Sequence, residues 1–196
     1  MDLPAADALF LTYFAPWYPQ EIERPYPATR PDLEEVVLPE GTHISVLNPL
    51  TPEGIQAARD QISGMRKAAE ADFPTLLDTE EPLSLDWLRA TDTWCTPEAV
   101  ANLLEQSDPK NFANNYVVVA CELGVAIGEA LIQEQPGLQW LHDWPYWDSA
   151  IFDLNSKTKI NVFHWAFKKL SGDGMEDALM EKVTASLDFV RQADVG

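Results

Sequence analysis

The longest apolar run of the chain, YVVVACELGVAIGEALI over residues 116–132, constrains the fold more than any other stretch. Together with its neighbours it predicts a helix over residues 115–134 that is apolar on most of its circumference. The exceptions are Glu122, Glu129 and Gln133, which we expect to form a narrow polar stripe. A helix of this kind belongs at the centre of a fold. The two glutamates and the length of the run argue against a membrane span.

Two glycines, Gly124 and Gly128, interrupt this apolar helix. Glycine inside a helix costs about 1 kcal/mol relative to alanine, so its presence needs a structural reason. We expect the missing side chains to let another backbone or a tryptophan ring approach closely. A phosphate-binding role is not favoured, because the Lys and Ser/Thr of a phosphate-binding loop do not accompany the glycines.

Local signals place the other elements around this helix. Thr-Pro-Glu occurs at Thr51 and again at Thr96, with threonine in the N-cap position and proline at the first helical position. The patterns predict five further helices, over 52–70, within LSLDWLRATDTW (83–94), and over 97–106, 163–170 and 175–191. They predict four strands, one within THISVLNPL (42–50) and three over 138–143, 148–154 and 159–163. Helices around a small antiparallel sheet of three to four strands predict an α+β fold.

The N-terminal part of the chain differs from the rest in composition. Residues 10–40 contain six prolines among aromatic side chains, which disfavours a regular helix. We expect an extended arm whose aromatic rings dock on the body, because such rings are costly to leave in water. The expected organisation is an arm with a short strand over residues 1–50 and a single α+β domain over residues 51–196.

The charge of the chain limits its partners. Thirty-two acidic and thirteen basic residues give a net charge of −19, which repels nucleic-acid phosphates and anionic membranes. We therefore expect no nucleic-acid ligand and no membrane, whereas a basic protein fits as a partner. From residue 111 to residue 156 there is no Lys or Arg, although six acidic residues fall inside this range.

The cysteines and the start of the chain indicate the compartment. Cys95 and Cys121 form no CxxC pair, and the first residues lack the positive and apolar regions of a signal peptide. We expect reduced, buried thiols in a cytoplasmic protein. No cofactor motif and no metal-ligand spacing accompany them, so we expect neither a cofactor nor a metal.

The stretch LHDWPYWDSAIFD, residues 141–153, has three interpretations: a chemical site, a recognition surface or a packed turn. Adjacent strand residues point to opposite faces, so His142 and Asp143 should not act together as a base and its orienting acid. Aromatic rings beside acids recognise basic partners if they are exposed, whereas buried rings cover the core, the more frequent case. The candidate binding residues are Glu129, Trp140, His142, Asp143, Trp144, Tyr146, Trp147 and Asp148.

Paired carboxylates offer an alternative function. Glu122 and Glu129 lie two helical turns apart, so both project from one side of the central helix, about 10 Å apart. In a cleft between this helix and the sheet, their pKa values would rise and they could work with His142 in a small enzyme or ligand-binding domain. A structural role for both is the more frequent outcome, so the sequence favours a binding protein over an enzyme.

Two segments, ELGVAIGEALIQEQPGLQW and INVFHWAFKKLSGDGMEDAL, resemble a pattern of uncharacterised bacterial domains. In these domains an LGxxxGE helix is followed by a strand tryptophan. The resemblance covers residues 80–190, and its most specific elements are Gly124, Gly128, Glu129, Gly137 and Trp140. Some such domains occur near toxin systems, where small acidic proteins act as immunity factors. The resemblance thus implies an immunity-type inhibitor of a basic partner.

Overall fold

The computed structural model describes residues 2–17, 22–25, 43–46, 52–77 and 83–193, and for 22–25 and 43–46 it describes the backbone alone. The helices in these ranges are α1 (Ala6–Tyr13), α2 (Pro52–Leu77), α3 (Leu85–Trp94), α4 (Pro97–Glu105), α5 (Asn115–Glu134), α6 (Val162–Lys169) and α7 (Leu179–Ala193). The strands are β1 (Ile22–Pro25), β2 (His43–Val46), β3 (Leu138–Leu141), β4 (Ala150–Asp153) and β5 (Lys159–Ile160). The helices pack on a small antiparallel sheet, so the predicted α+β class is confirmed.

Helix α5 lies at the centre of the fold and has the bounds that the sequence predicted. The Asn114 side chain caps it by accepting a hydrogen bond from the Val117 N–H, at 3.0 Å. Every residue from 120 to 131 is buried, and α2, α4, α6, α7, β3 and β4 all contact this helix. The predicted polar stripe is wrong for Glu122 and Glu129, since the neighbouring elements enclose both side chains and leave them only 2% and 9% exposed.

By length and composition alone, α5 could cross a membrane. This differs from the expectation that the apolar run over 116–132 is too short for a membrane span. In the fold, however, 78% of its apolar 18-residue window is buried. A helix covered on most sides by other elements must be apolar on most sides. The surrounding protein therefore accounts for the composition of α5.

Hydroxyl side chains cap the two helices that precede α5. Ser84 caps α3 and Thr96 caps α4, and each hydroxyl oxygen accepts the backbone N–H three residues later. The helix start predicted at Thr96 is confirmed, whereas Thr51 lies outside the described residues. Helix α2 is longer than the predicted 52–70, because its buried face continues to Leu77.

The central sheet has the strand order β3-β4-β5 and is antiparallel throughout. Leu141 pairs with Ala150, and Ile151 pairs with Ile160. All four residues of β4, the middle strand, are buried. Each strand lies inside its predicted range but is shorter, since a 3-10 helix at Tyr146–Asp148 precedes β4 and α6 begins soon after β5.

The N-terminal segment packs on the body as predicted, but residues 10–17 are helical and not extended. Helix α1 is followed by a 3-10 helix at Ala15–Trp17. The prolines flank α1 and do not interrupt it, so they do not block helix formation here. Phe14 is fully buried, and its ring centroid lies 4.2 Å from that of Phe167 in α6.

The remainder of the predicted arm is described in part. Residues 18–21 and 26–42 lie outside the described residues. Strands β1 and β2 form a two-stranded antiparallel sheet in which Ile22 pairs with Val46. The strand predicted within THISVLNPL is therefore confirmed as β2.

The two C-terminal helices follow the predicted pattern with one shift. The apolar residues that defined α6, namely Phe163, Ala166, Phe167 and Leu170, are all buried. Helix α7 begins at Leu179, later than the predicted residue 175, because a separate 3-10 helix at Gly172–Gly174 precedes it.

Candidate functional site

The segment 144–147, Trp-Pro-Tyr-Trp, forms a turn between β3 and β4. Its Trp144–Pro145 peptide bond is cis. Tyr146 is 3% exposed and Trp147 is 4% exposed, so for these two rings the packed-turn alternative is confirmed. Trp144 is half-buried and packs at the edge of the core. The turn therefore belongs to the core on one side and reaches the surface on the other.

The same turn forms one wall of a pocket of about 220 Å³. The described residues that line this aromatic pocket are Trp17, Gln61, Phe112, Trp144, Pro145, Tyr146 and Trp147. The ring centroids of Trp17 and Phe112 are 5.3 Å apart and the rings are inclined by 64°. Those of Phe112 and Trp147 are 5.6 Å apart, with an inclination of 42°. The aromatic walls thus face different directions and do not form a flat slot.

Two of these rings were not among the predicted site residues. Trp17 follows α1, and Phe112 lies in the loop between α4 and α5. Phe112 is 36% exposed, and its sequence neighbours in KNFANN are lysine, asparagine and alanine. A large apolar ring in such a polar loop was the available sequence signal, since loops lie on the surface and carry binding residues.

Asp143 and Ser149 hold the two ends of the turn. The Asp143 carboxylate accepts the Trp144 N–H at 2.8 Å, and the Ser149 hydroxyl accepts the Asp143 N–H at 2.9 Å. Asp143 is 3% exposed. His142 is half-buried and follows the end of β3, and Asp148 is half-buried in the 3-10 helix. Asp143 therefore shapes the backbone from which Trp144 projects.

Glu129 and Trp140, both predicted site residues, are in direct contact. The Trp140 indole Nε1 donates to Glu129 Oε1 at 2.9 Å, and Arg66 of α2 pairs with Glu129 Oε2 at 2.8 Å. A Cβ at Gly128 would lie 2.5 Å from Trp140 Cζ2, which confirms the predicted approach of a tryptophan ring. A Cβ at Gly124 would lie 2.4 Å from Phe163 Cδ1. The Trp140 ring thus fills the space between α5 and the sheet at Gly128.

Glu122 has a different environment from Glu129. It is 2% exposed, and its Oε1 accepts no hydrogen bond from the described residues. Burial, with a smaller contribution from the charge of Asp72, raises the pKa of Glu122 to about 7. A carboxyl with such a pKa is about half protonated at neutral pH and can act as an acid or a base. Burial also raises the pKa of the Tyr146 hydroxyl, and the charge of Glu122 makes a smaller contribution to that rise.

The acidic residues of the segment without Lys or Arg are mostly used inside the protein. Four of the six, Glu122, Glu129, Asp143 and Asp153, are buried. Asp153 accepts the N–H groups of Asn155 and Ser156 in the turn between β4 and β5. These four side chains therefore do not form an acidic surface.

The two cysteines are free and buried, as predicted. Burial raises the pKa of each thiol to about 12, so neither is a thiolate nucleophile at neutral pH. Among the described residues, no three His, Cys, Asp or Glu side chains lie together as metal ligands would.

Comparisons of the chain with protein-family models, with curated proteins and with solved structures found no match. The aromatic pocket and the environments of Glu122 and Glu129 are therefore the observations from which a function can be argued.

Proposed function

We propose that this chain is a non-enzymatic binding protein for a basic protein partner, which contacts it at the aromatic pocket. The observation that carries the proposal is the pocket itself, in which Phe112 is exposed and Trp17 and Trp144 are half-buried. Tryptophan and tyrosine are enriched among residues that dominate binding energy at interfaces. A net charge of −19 favours a partner of opposite sign.

More specifically, we propose an immunity-type inhibitor, which binds a basic partner and blocks its functional surface. Its support is the acidic charge together with the resemblance of residues 80–190 to bacterial domains found near toxin systems. In such a complex the charge of the whole chain would speed the encounter, and the aromatic pocket would hold the partner in place.

A pull-down from the native lysate at low and high salt tests the proposal. The bait proteins are the wild type, Phe112→Ala and, as a matched control, Phe189→Ala, which removes a 59%-exposed ring of α7. We expect the wild type and the Phe189 variant to retain a basic protein at low salt and release it at high salt. Phe112→Ala should lose it.

The design separates specific from merely ionic capture. Both variants keep the net charge of −19, so a protein held by charge alone would bind all three baits equally. Capture that does not differ between wild type and Phe112→Ala, or no salt-dependent capture of a basic protein, would contradict the proposal.

One observation favours the alternative of a small enzyme or ligand-binding domain that uses Glu122, Glu129 and His142. Glu122 is a buried carboxyl with a pKa of about 7, a value suited to proton transfer near neutral pH. Glu129 contributes less to this alternative, because Trp140 and Arg66 already engage its two oxygens. Under this alternative, Glu122→Gln would abolish activity or ligand binding and leave the pull-down unchanged.

A further inference from the structure

We infer that the aromatic pocket receives one alkylammonium group, the side-chain end of a lysine or methylated lysine of the basic partner. The inference rests on the proposed function and names the chemical group that the pocket recognises.

The first argument is the arrangement of the rings. Phe112 is inclined by 64° to Trp17 and by 42° to Trp147. Rings that face a common space from different directions surround a compact cation, and cations are attracted to the faces of aromatic rings. A guanidinium group is flat, stacks on one ring and needs in-plane acceptors. The described lining offers no carboxylate and a single side-chain amide, Gln61, so an ammonium group fits it better.

The second argument is size. The pocket holds about 220 Å³, which is below the range of roughly 300–1,000 Å³ that is common for sites of whole small-molecule ligands. A space of this size accommodates the end of one side chain. The partner's backbone would stay outside, at the rim that Phe112 and Trp144 form at the surface.

The third argument is charge. Five of the seven described lining residues, Phe112 and Trp144 to Trp147, come from the segment that lacks Lys and Arg. The buried Asp143 carboxylate accepts a hydrogen bond from the Trp144 N–H behind this wall. A cation entering here meets aromatic faces, and the net charge of −19 favours a cation over an anion.

Ligand titration followed by NMR tests the inference directly. The probes are choline, which carries a trimethylammonium group, and 3,3-dimethylbutan-1-ol, its uncharged carbon analogue. The chain has seven tryptophans, and the indole N–H signals of those in the pocket report on binding. We expect choline to shift the signals of Trp17, Trp144 and Trp147 saturably. The uncharged analogue should need about tenfold higher concentration, since it lacks the attraction between cation and ring.

Variants and competition separate this inference from the proposed function. Choline binding should be lost in Phe112→Ala and unchanged in Phe189→Ala, with urea unfolding as a check that both variants are folded. Equal affinity for the two probes, no saturable choline shift, or a choline shift that survives in Phe112→Ala would each overturn the inference. If a basic partner is captured but choline does not bind, the inference fails and the proposed function stands. If choline binds as expected and no basic partner is captured, the proposed function fails and the cation site stands.

Discussion

Replacing Gly128 with alanine tests the tightest contact between α5 and the sheet. The new Cβ would lie 2.5 Å from Trp140 Cζ2 and 3.1 Å from Ile151 Cδ1. Carbon atoms in contact prefer a separation of about 3.5–4.0 Å, so the rigid indole must move by about 1 Å. Its Nε1 donates to Glu129 at 2.9 Å, and the movement would lengthen that hydrogen bond.

The expected magnitude follows from three contributions. Overpacking of a core contact costs about 1–3 kcal/mol. Loss of a hydrogen bond to a charged group costs about 1.5–3 kcal/mol. Alanine is the better helix former by about 1 kcal/mol, which offsets part of the loss. Gly128→Ala should therefore lower the free energy of unfolding by about 1.5–5 kcal/mol, a large share of the roughly 5–15 kcal/mol typical of a folded protein.

Urea unfolding followed by circular dichroism measures this change, and α2 supplies a matched control. Gly64 is also inside a helix, but a Cβ there would meet no atom within 4 Å. Gly64→Ala should raise the free energy of unfolding by up to about 1 kcal/mol. The same substitution thus has opposite signs at the two positions. If Gly128→Ala were as stabilising as Gly64→Ala, the packing of Trp140 on Gly128 would be refuted.

Two further substitutions test buried charges. Folding raises the pKa of Glu122 from 4.5 to about 7, so from about pH 4.5 to 7 the folded state holds more protons and stability falls as pH rises. Relative to the wild type, Glu122→Gln should gain up to roughly 3 kcal/mol between pH 5 and 8, and an equal pH dependence of urea unfolding would contradict this. Asp92→Asn should cost roughly 3 kcal/mol, since it weakens the ion pair with Lys169, which is 3% exposed and 3.0 Å away. Asp86→Asn, in an exposed pair, should cost less than about 1 kcal/mol, and equal losses would show that burial of the pair does not matter.

The helix α5 could be predicted to its end residues because several signals agree there. The long apolar run and the Pro136-Gly137 dipeptide that follows it both act locally. Helix α1 was missed for the opposite reason. Its residues 6–13 contain no proline. They partly overlap the proline-rich range 10–40, however, and the prolines of that range favoured an extended arm. Contacts with α6, which lies far along the chain, stabilise this short helix, and short helices depend on such packing.

One contact of the candidate site could be predicted because a residue type in the sequence required it. The cost of Gly128 in a helix indicated that a ring approaches it, and Trp140 does. Arg66 could not be assigned to Glu129, because the two residues are distant in sequence and a charged residue on a helix usually faces water. The burial of Glu122 had the same cause. Its enclosure depends on α2 and on the turn at Tyr146, which no local pattern of α5 reports.

Whether the Trp-Pro-Tyr-Trp turn serves the core or a partner has a different answer for each ring. Replacement of Tyr146 or Trp147, both buried, would lower stability and binding together. A loss of binding in these variants would therefore not distinguish a core ring from an interface ring. Phe112 is 36% exposed and lies outside the turn, so Phe112→Ala should cost less stability than the loss of a fully buried ring. Its ring contacts with Trp17 and Trp147 set that cost at about 1–3 kcal/mol. Lost binding in a variant that urea unfolding shows to be folded is therefore the result that a ring at an interface gives, which makes Phe112 the position that decides the function of the pocket.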